Sequence, residues 1–404
     1  MLRIRSYKSQ LFVLLLARIA LDLDFQAITL FFTSFSESFN VEIWLMGFII
    51  SVYSICVLLS PIFGNLSDQY GRRIFLVLGL IIFAISSGFM VIAQDWIQIL
   101  ISRALAGLGK AIFLPSLLAE LAESYAYEKR TRVMGFVRLS WPLTFIVGVP
   151  LVGYSIEHLD WRLPFMVLAL FALATGLLII LIDSSSYENQ TQRAIAKKGL
   201  ELFKTVVSDR SALSGLLLTL FAVGSIQGIF AFFPVWMETD FHIKETAISV
   251  ILSFMGAGTL IGTLFATWIG DKFGSKNSVV LGLGIAACCM ILLSHFSFSN
   301  PVFVVFWLLL LGTAFDFSMT VVPVLLTQIT SEAKGTILSL NQALNAGASA
   351  LGSAISGIFW YNFGYSIIGL FFGCSAFFGA LIGLFNIRII VLDHSDDRNI
   401  TELS

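Results

Sequence analysis

The chain has 404 residues, 57% of them hydrophobic and 12% charged, with a mean hydropathy of +0.91. That balance excludes a water-soluble globular protein and predicts an integral membrane one. Lys and Arg total 24 against 25 Asp and Glu, so no excess of positive charge argues for a nucleic-acid partner. Cys56, Cys288, Cys289 and Cys374 fall within apolar runs without metal-ligand spacing and read as packing residues.

A helix needs about 20 apolar residues to cross the hydrocarbon of a bilayer. Along the chain that window predicts twelve spans, near 11–33, 44–63, 74–93, 97–119, 134–154, 163–182, 214–237, 246–268, 277–296, 302–326, 336–360 and 365–390. Arg3, Arg5 and Lys8 before the first span resemble a secretion signal. Arg18 stands where a small-residue cleavage site would be needed, so an uncleaved first span is expected. The one long polar interruption, 183–213, divides the spans six and six, predicting an N-terminal bundle (1–182), a cytoplasmic linker (183–213) and a C-terminal bundle (214–404). Within the linker Ile195, Leu202, Phe203 and Val206 share a helical face, which suits a short surface helix or a plain tether. With both termini inside, the cytoplasmic segments hold 18 Lys and Arg, and the outer loops hold only Arg162 and Lys244. Positive charge collects on the cytoplasmic side, so this orientation is expected, in the plasma (inner) membrane if the source is bacterial.

Residues 64 to 73 read Gly-Asn-Leu-Ser-Asp-Gln-Tyr-Gly-Arg-Arg. Gly64 and Gly71 suit a tight polar turn, while Asp68, Arg72 and Arg73 place fixed charge at a membrane edge. Asp271 opens a second such stretch, Asp-Lys-Phe-Gly-Ser-Lys, at the corresponding place in the other half. Parallel six-helix repeats around a central path are a transporter architecture. The loop resembles the signature between the second and third helices of the major facilitator superfamily, departing at Gln69, where that family usually carries a basic residue. Arg103, Gly107 and Gly109 resemble its Arg-x-x-x-Gly-x-Gly pattern, and Trp161-Arg-Leu-Pro-Phe165 is also similar. Gly148-Val-Pro-Leu-Val-Gly153 resembles the Gly-Pro-x-x-Gly-Gly motif of the twelve-helix drug/proton antiporter branch, with Val149 and Tyr154 in place of two glycines. The resemblance implies an all-α membrane protein, twelve transmembrane helices in two pseudo-symmetric six-helix bundles, and a gating role for Gly64, Asp68, Gly71, Arg72, Arg73 and Asp271.

Charges inside the membrane cost about 2.5 to 3.5 kcal/mol each and so mark function. Helical rise places Asp24 level with Arg103, and Arg18 level with Lys110, with Asp22 close enough to separate the last two. Asp24 or Asp22 then acts as a proton carrier answering to a neighbouring cation. The alternative is a static lock between the first and fourth spans. Drug antiporters often carry an acid in the first span, which points to Asp24. Asp316 in the tenth span reads as a gate or helix contact. Arg18, Gln26, Lys110, Gln227, Phe230, Asn341 and Asn345 are candidate substrate contacts, the amides serving equally as interhelical hydrogen-bond partners. Most of the Phe230, Phe232, Phe233 and Trp236 cluster reads as lipid-facing, and Trp96, Trp161 and Trp236 as interfacial belts. Glu120 and Glu123 are expected to pair with Arg72, Arg73 or Arg138.

The sequence holds no zinc-binding His-Glu-x-x-His, nucleophile elbow or phosphate loop, so an enzyme is not expected. The reading is a proton-coupled transporter working by alternating access and exporting small lipophilic or cationic compounds. It needs no cofactor beyond the proton gradient and acts as a monomer with small-molecule substrate, protons and lipid as partners. Two alternatives stay open: a symporter importing a sugar, organic acid or metal chelate, and a non-transporting sensor or lipid-handling scaffold on the same fold.

Overall fold

The computed structural model describes residues 7–125, 127–181, 206, 208–295, 301–329 and 334–387. Within these, the side chains at 7–8, 122–123, 127–132, 269–272, 301–302 and 334–335 are not described, so the expected pairing of Glu123 and the side chain of Asp271 lie outside the described residues. The linker from 183 to 205 is outside them as well.

Twelve long helical stretches are described. Stretch α1 (7–39) runs as Tyr7–Ala27, a tight turn Ile28–Phe31, and Phe32–Phe39. It is followed by α2 (Ile43–Tyr70), α3 (Arg72–Val91) and α4 (Trp96–Ser124). The broken α5 (127–158) consists of Tyr127–Arg138, Ser140–Leu143, a wide turn Thr144–Gly148, and Val149–His158. Then come α6 (Leu163–Leu181), α7 (Arg210–Phe241), α8 (Glu245–Phe273), α9 (Ser275–His295), α10 (Pro301–Ile329), α11 (Lys334–Phe363) and α12 (Tyr365–Asn386). Among the described residues, ten of these are long and apolar enough to cross a membrane. Two fall short, α1 and α11. The first carries Arg18, Asp22 and Asp24, and the other Asn341, Gln342 and Asn345.

Packing follows a two-fold pseudo-symmetry. In the first half α3 lies against α4 and α6, α2 against α4, and α1 against α6; in the second, α9 lies against α10 and α12, α8 against α10, and α7 against α12. The halves meet where α2 packs on α11 and α5 on α8, which are equivalent pairs under the same exchange.

The expected polar loop at 64–73 is much shorter than the sequence suggested. The helix continues through Gly64 and Asp68 to Tyr70, and Gly71 alone breaks it at φ 103° before α3 begins. That conformation is open to glycine without a Cβ clash. Gly274 repeats the break between α8 and α9 at φ 76°. Two residues on, Arg73 donates to the Ile179 carbonyl at 2.9 Å and also to Ile180, at the end of α6. Lys276 donates to the Ile387 carbonyl at 2.8 Å, at the end of α12. A cation thus satisfies the last carbonyls of each bundle's final helix. Arg72 pairs with Asp68 and donates to Ser67 Oγ at 2.9 Å, so neither arginine needs Glu120, which instead accepts from Gln10 at 2.8 Å. Gln69 is exposed and reaches Asn65 on its own helix at 3.4 Å.

Contacts between the bundles gather toward the face opposite the termini. Ser51 on α2 donates to the Ala350 carbonyl on α11 at 2.8 Å, and Thr33 on α1 donates to Glu238 on α7 at 2.6 Å. Glu157 at the end of α5 accepts from the Thr246 amide at 3.2 Å and pairs with Lys244 at 3.3 Å. Gly153 lies so close to Ser249 that an added Cβ would overlap its side chain. Of the aromatic cluster on α7, Phe232 reaches this junction, its ring 5.7 Å from that of Phe32 on α1. Phe232, Phe233 and Trp236 are buried, with Trp236 stacked on Tyr365 at 4.3 Å, which corrects the lipid-facing and interfacial expectations for them. Cys288 and Cys374 are exposed and only Cys289 is fully packed.

Candidate functional site

The charged residues of α1 and α4 meet inside the first bundle. Asp22, Asp24 and Arg103 are 2%, 2% and 1% exposed, and burial this complete requires paired partners. Arg103 Nη1 donates to both oxygens of Asp24, at 2.9 and 3.0 Å, and its guanidinium stands 5.4 Å from the centre of the Phe165 ring. Arg103 Nε is buried with no hydrogen-bond partner. Asp22 is held from three sides: Arg18 Nε at 3.3 Å from its own helix, Lys110 Nζ at 3.3 Å from α4, and Ser140 Oγ at 2.6 Å from α5. The depth reckoning from helical rise therefore places these partners correctly. Seven residues apart on one face, Arg103 and Lys110 serve one acid each.

Breaks in α5 put its polar groups here. Pro142 has no amide hydrogen to donate, and the turn widens between Thr144 and Gly148, a feature that recurs at functional sites. Thr144 Oγ1 stands 2.9 Å from both the Ser140 carbonyl and Gln26 Oε1, with its one hydrogen to donate between them, while Gln26 Nε2 donates to the Trp141 carbonyl at 3.4 Å. Gln26, expected as a substrate contact, is thus engaged in tying α1 to the break in α5. Gly148 lets Leu23 of α1 approach within 2.7 Å of where a Cβ would stand.

Around the cations lies an aromatic wall that charge and motif reading did not single out. Lys110 Nζ is 4.8 Å from the Phe25 ring centre and 5.8 Å from that of Tyr53, and Phe25 also neighbours Trp141 at 6.5 Å. Tyr53 is buried beside both acids with its hydroxyl unpartnered. Arg138 on α5 was visible in the sequence as an intramembrane charge, expected to pair with Glu120 or Glu123. It interacts electrostatically with Asp316 of α10, the other bundle, and with Arg18. Asp316 itself is buried on α10, and the attraction of Arg138 reaches it from the other bundle. Ser140 and Tyr53 had no signal beyond their residue type, since one serine or tyrosine in an apolar run resembles any other.

The second-bundle candidates are less organised. Asn341 is buried on α11, and both its Oδ1 and that of Asn345 lack a hydrogen-bond partner among the described residues. Gln227 is half-buried on α7, one turn from Phe230, whose ring lies 6.1 Å from Phe233. Nothing places these four against the Asp22 cluster.

Comparison with known proteins is decisive for the family. A family model described as Major Facilitator Superfamily matches residues 14–353, and again 215–402. The chain belongs to this superfamily. Among its relatives, the uncharacterized MFS-type transporter YwfA of Bacillus subtilis (strain 168) is 23% identical over 87% of this chain and 85% of its own length. Multidrug resistance protein 1 of the same organism is 24% identical, covering 81% and 85%. Among solved structures, a crystal structure of the D-xylose-proton symporter superposes with a TM-score of 0.81 at 18% identity, covering 95% of this chain and 99% of that one. An inward-open conformation of the xylose transporter XylE from E. coli gives 0.75 at 18% identity, covering 95% and 97%. The superfamily assignment makes the protein a multi-pass membrane transporter with a small-molecule substrate, not an enzyme.

Proposed function

We propose that this transporter is proton-coupled and works by alternating access, with Asp24 or Asp22 carrying the proton. The observation behind the reading is that each acid is buried in the membrane interior and tied to a cation on another helix. Protonating either carboxylate removes its attraction for Arg103 or Lys110 and loosens α1 from α4, so proton occupancy and helix position are linked. In this reading the termini face the cytoplasm, where the Lys and Arg surplus collects, and Gly64, Asp68, Gly71, Arg72, Arg73, Asp271 and Asp316 belong to the gating apparatus. The seal opposite the termini corresponds to a state open toward the cytoplasm.

Two directions of transport fit. Export of small lipophilic compounds is supported by the names of relatives such as multidrug resistance proteins 1 and 2, at 24% and 25% identity. Import by symport is favoured by a specific feature of the site, the surplus of cations around Asp22. Proteoliposomes carrying a pH gradient decide the first question. Asp24→Asn or Asp22→Asn should abolish gradient-driven solute flux while leaving downhill exchange. Full flux in both variants would remove the proton-carrier assignment.

A further inference from the structure

We infer that the transported solute is a small organic anion with an apolar body, held by Lys110 and Arg18 against the rings of Phe25, Tyr53 and Trp141. The inference deepens the transport reading and rests on it for the coupling, though not for the binding site.

Local charge is the first support. Around Asp22 and Asp24 stand Arg18, Lys110 and Arg103, three cations to two acids. A bound monoanion would balance that local surplus. Layering is the second support. The Asp22 and Asp24 side chains are 3% and 0% exposed, whereas those of Arg18 and Lys110 keep 17% and 13%. A solute approaching this cluster meets the cations first. A cationic solute finds no spare carboxylate there, because Arg18, Lys110 and Ser140 already occupy Asp22 and Arg103 occupies Asp24.

Unused donors point the same way. An ammonium has three hydrogens to donate, and Lys110 makes one hydrogen bond, to Asp22. The buried Tyr53 hydroxyl beside it has none. A carboxylate, with two oxygens and only acceptor capacity, suits both. The three rings supply the flat apolar contact expected of a pocket with a few polar anchors.

The sign of proton coupling follows. Asp22 faces Arg18 on α1, Tyr53 on α2, Lys110 on α4 and Ser140 on α5; Tyr53 also neighbours Asp24, which holds Arg103 of α4, and Arg18 also neighbours Arg138 of α5, beyond which stands the Asp316 carboxylate of α10. An anion sharing Lys110 and Arg18 competes with Asp22 for their charge, so a proton on Asp22 and an anion on the cations assist each other. Linkage makes the assistance mutual. Solute and proton then travel together, which is symport. A cationic solute would instead oppose the proton.

The test uses the purified full chain in nanodiscs, titrated with benzoate, cinnamate and octanoate and, separately, with tetraphenylphosphonium. At least one anion should bind and take up protons from weakly buffered solution. Lys110→Gln should weaken it about ten- to a hundredfold, with Lys110→Arg recovering most of the loss. Should Lys110→Gln fail to fold, the charge-balanced pair Asp22→Asn with Lys110→Gln must show the same weakening. Binding of tetraphenylphosphonium with all three anions silent overturns the assignment, as does silence of every ligand or anion affinity that survives loss of Lys110. Lys110-dependent anion binding without proton uptake would support the anion site and sink the proton-coupled reading instead.

Discussion

The two bundles share one helix plan and differ in what they bury. In the first, α1 and α4 bring two acids and three cations into contact at 2.9 to 3.3 Å, cross-linked to α5 through Ser140. Among the described residues, the second holds inside it one charge, that of Asp316, answered from the other bundle by Arg138, and two asparagines whose side-chain oxygens lack partners. The same packing scheme therefore supports a charged half, in which protonation can change helix contacts, and a near-neutral half. Transport by rocking one bundle against the other needs only one half to sense charge.

Breaking the buried pair should have the largest effect. Arg103→Gln strands the Asp24 carboxylate in an apolar interior, a loss of about 3 to 5 kcal/mol when one partner of a buried ion pair is removed. Thermal unfolding in detergent should show it as a large fall in midpoint, with the double variant Asp24→Asn and Arg103→Gln recovering most of it. If Arg103→Gln were no less stable than the double variant, the pair would not be a structural tie. Asp316→Asn should cost less, about 1 to 3 kcal/mol, because Arg138 keeps partial access to solvent.

A second prediction concerns the junction that both bundles share. Gly153 on α5 faces Ser249 and the Glu245 carbonyl of α8, and a valine side chain cannot fit there. Gly153→Val should push the face opposite the termini apart and shift the population toward opening on that side. Spin labels on α5 and α8 near that face should report longer distances, with transport slowed at least about tenfold by a bias of roughly 1.4 kcal/mol. Unchanged distances would mean that the seal is not made there.

How much of this is legible in the sequence follows from range. Span positions came from apolar runs, a local property, and the described helices overlap each predicted one. The α1 and α4 pairing was legible because rise per residue converts sequence number to depth, and few charges compete at one level. Less local features were hidden. The loop at 64–73 shrank to Gly71 because polar side chains at a membrane edge do not stop a helix, whereas one positive φ does. Phe232 and Phe233 resembled lipid-facing residues because burial between helices and exposure to acyl chains ask for the same apolar side chain. Arg138 showed its charge but not Asp316, its partner 178 positions away on another bundle.

The smallest effect tests the symmetry itself. Arg73 and Lys276 each follow a positive-φ glycine by two positions and each donate to the terminal carbonyls of the last helix in their own bundle. A cation at a helix C-terminus contributes about 0.3 to 1 kcal/mol through the dipole, more where it donates directly. Arg73→Gln and Lys276→Gln should therefore each lower stability by about 1 kcal/mol, with Arg73 the larger because its planar group serves two carbonyls where the ammonium serves one. Amide exchange near Ile179 and Ile387 should rise in the matching variant only. Equal fraying of both helices in either variant would mean that the two corners are coupled across the molecule, and the picture of two like bundles, each closed by its own cation, would have to be given up.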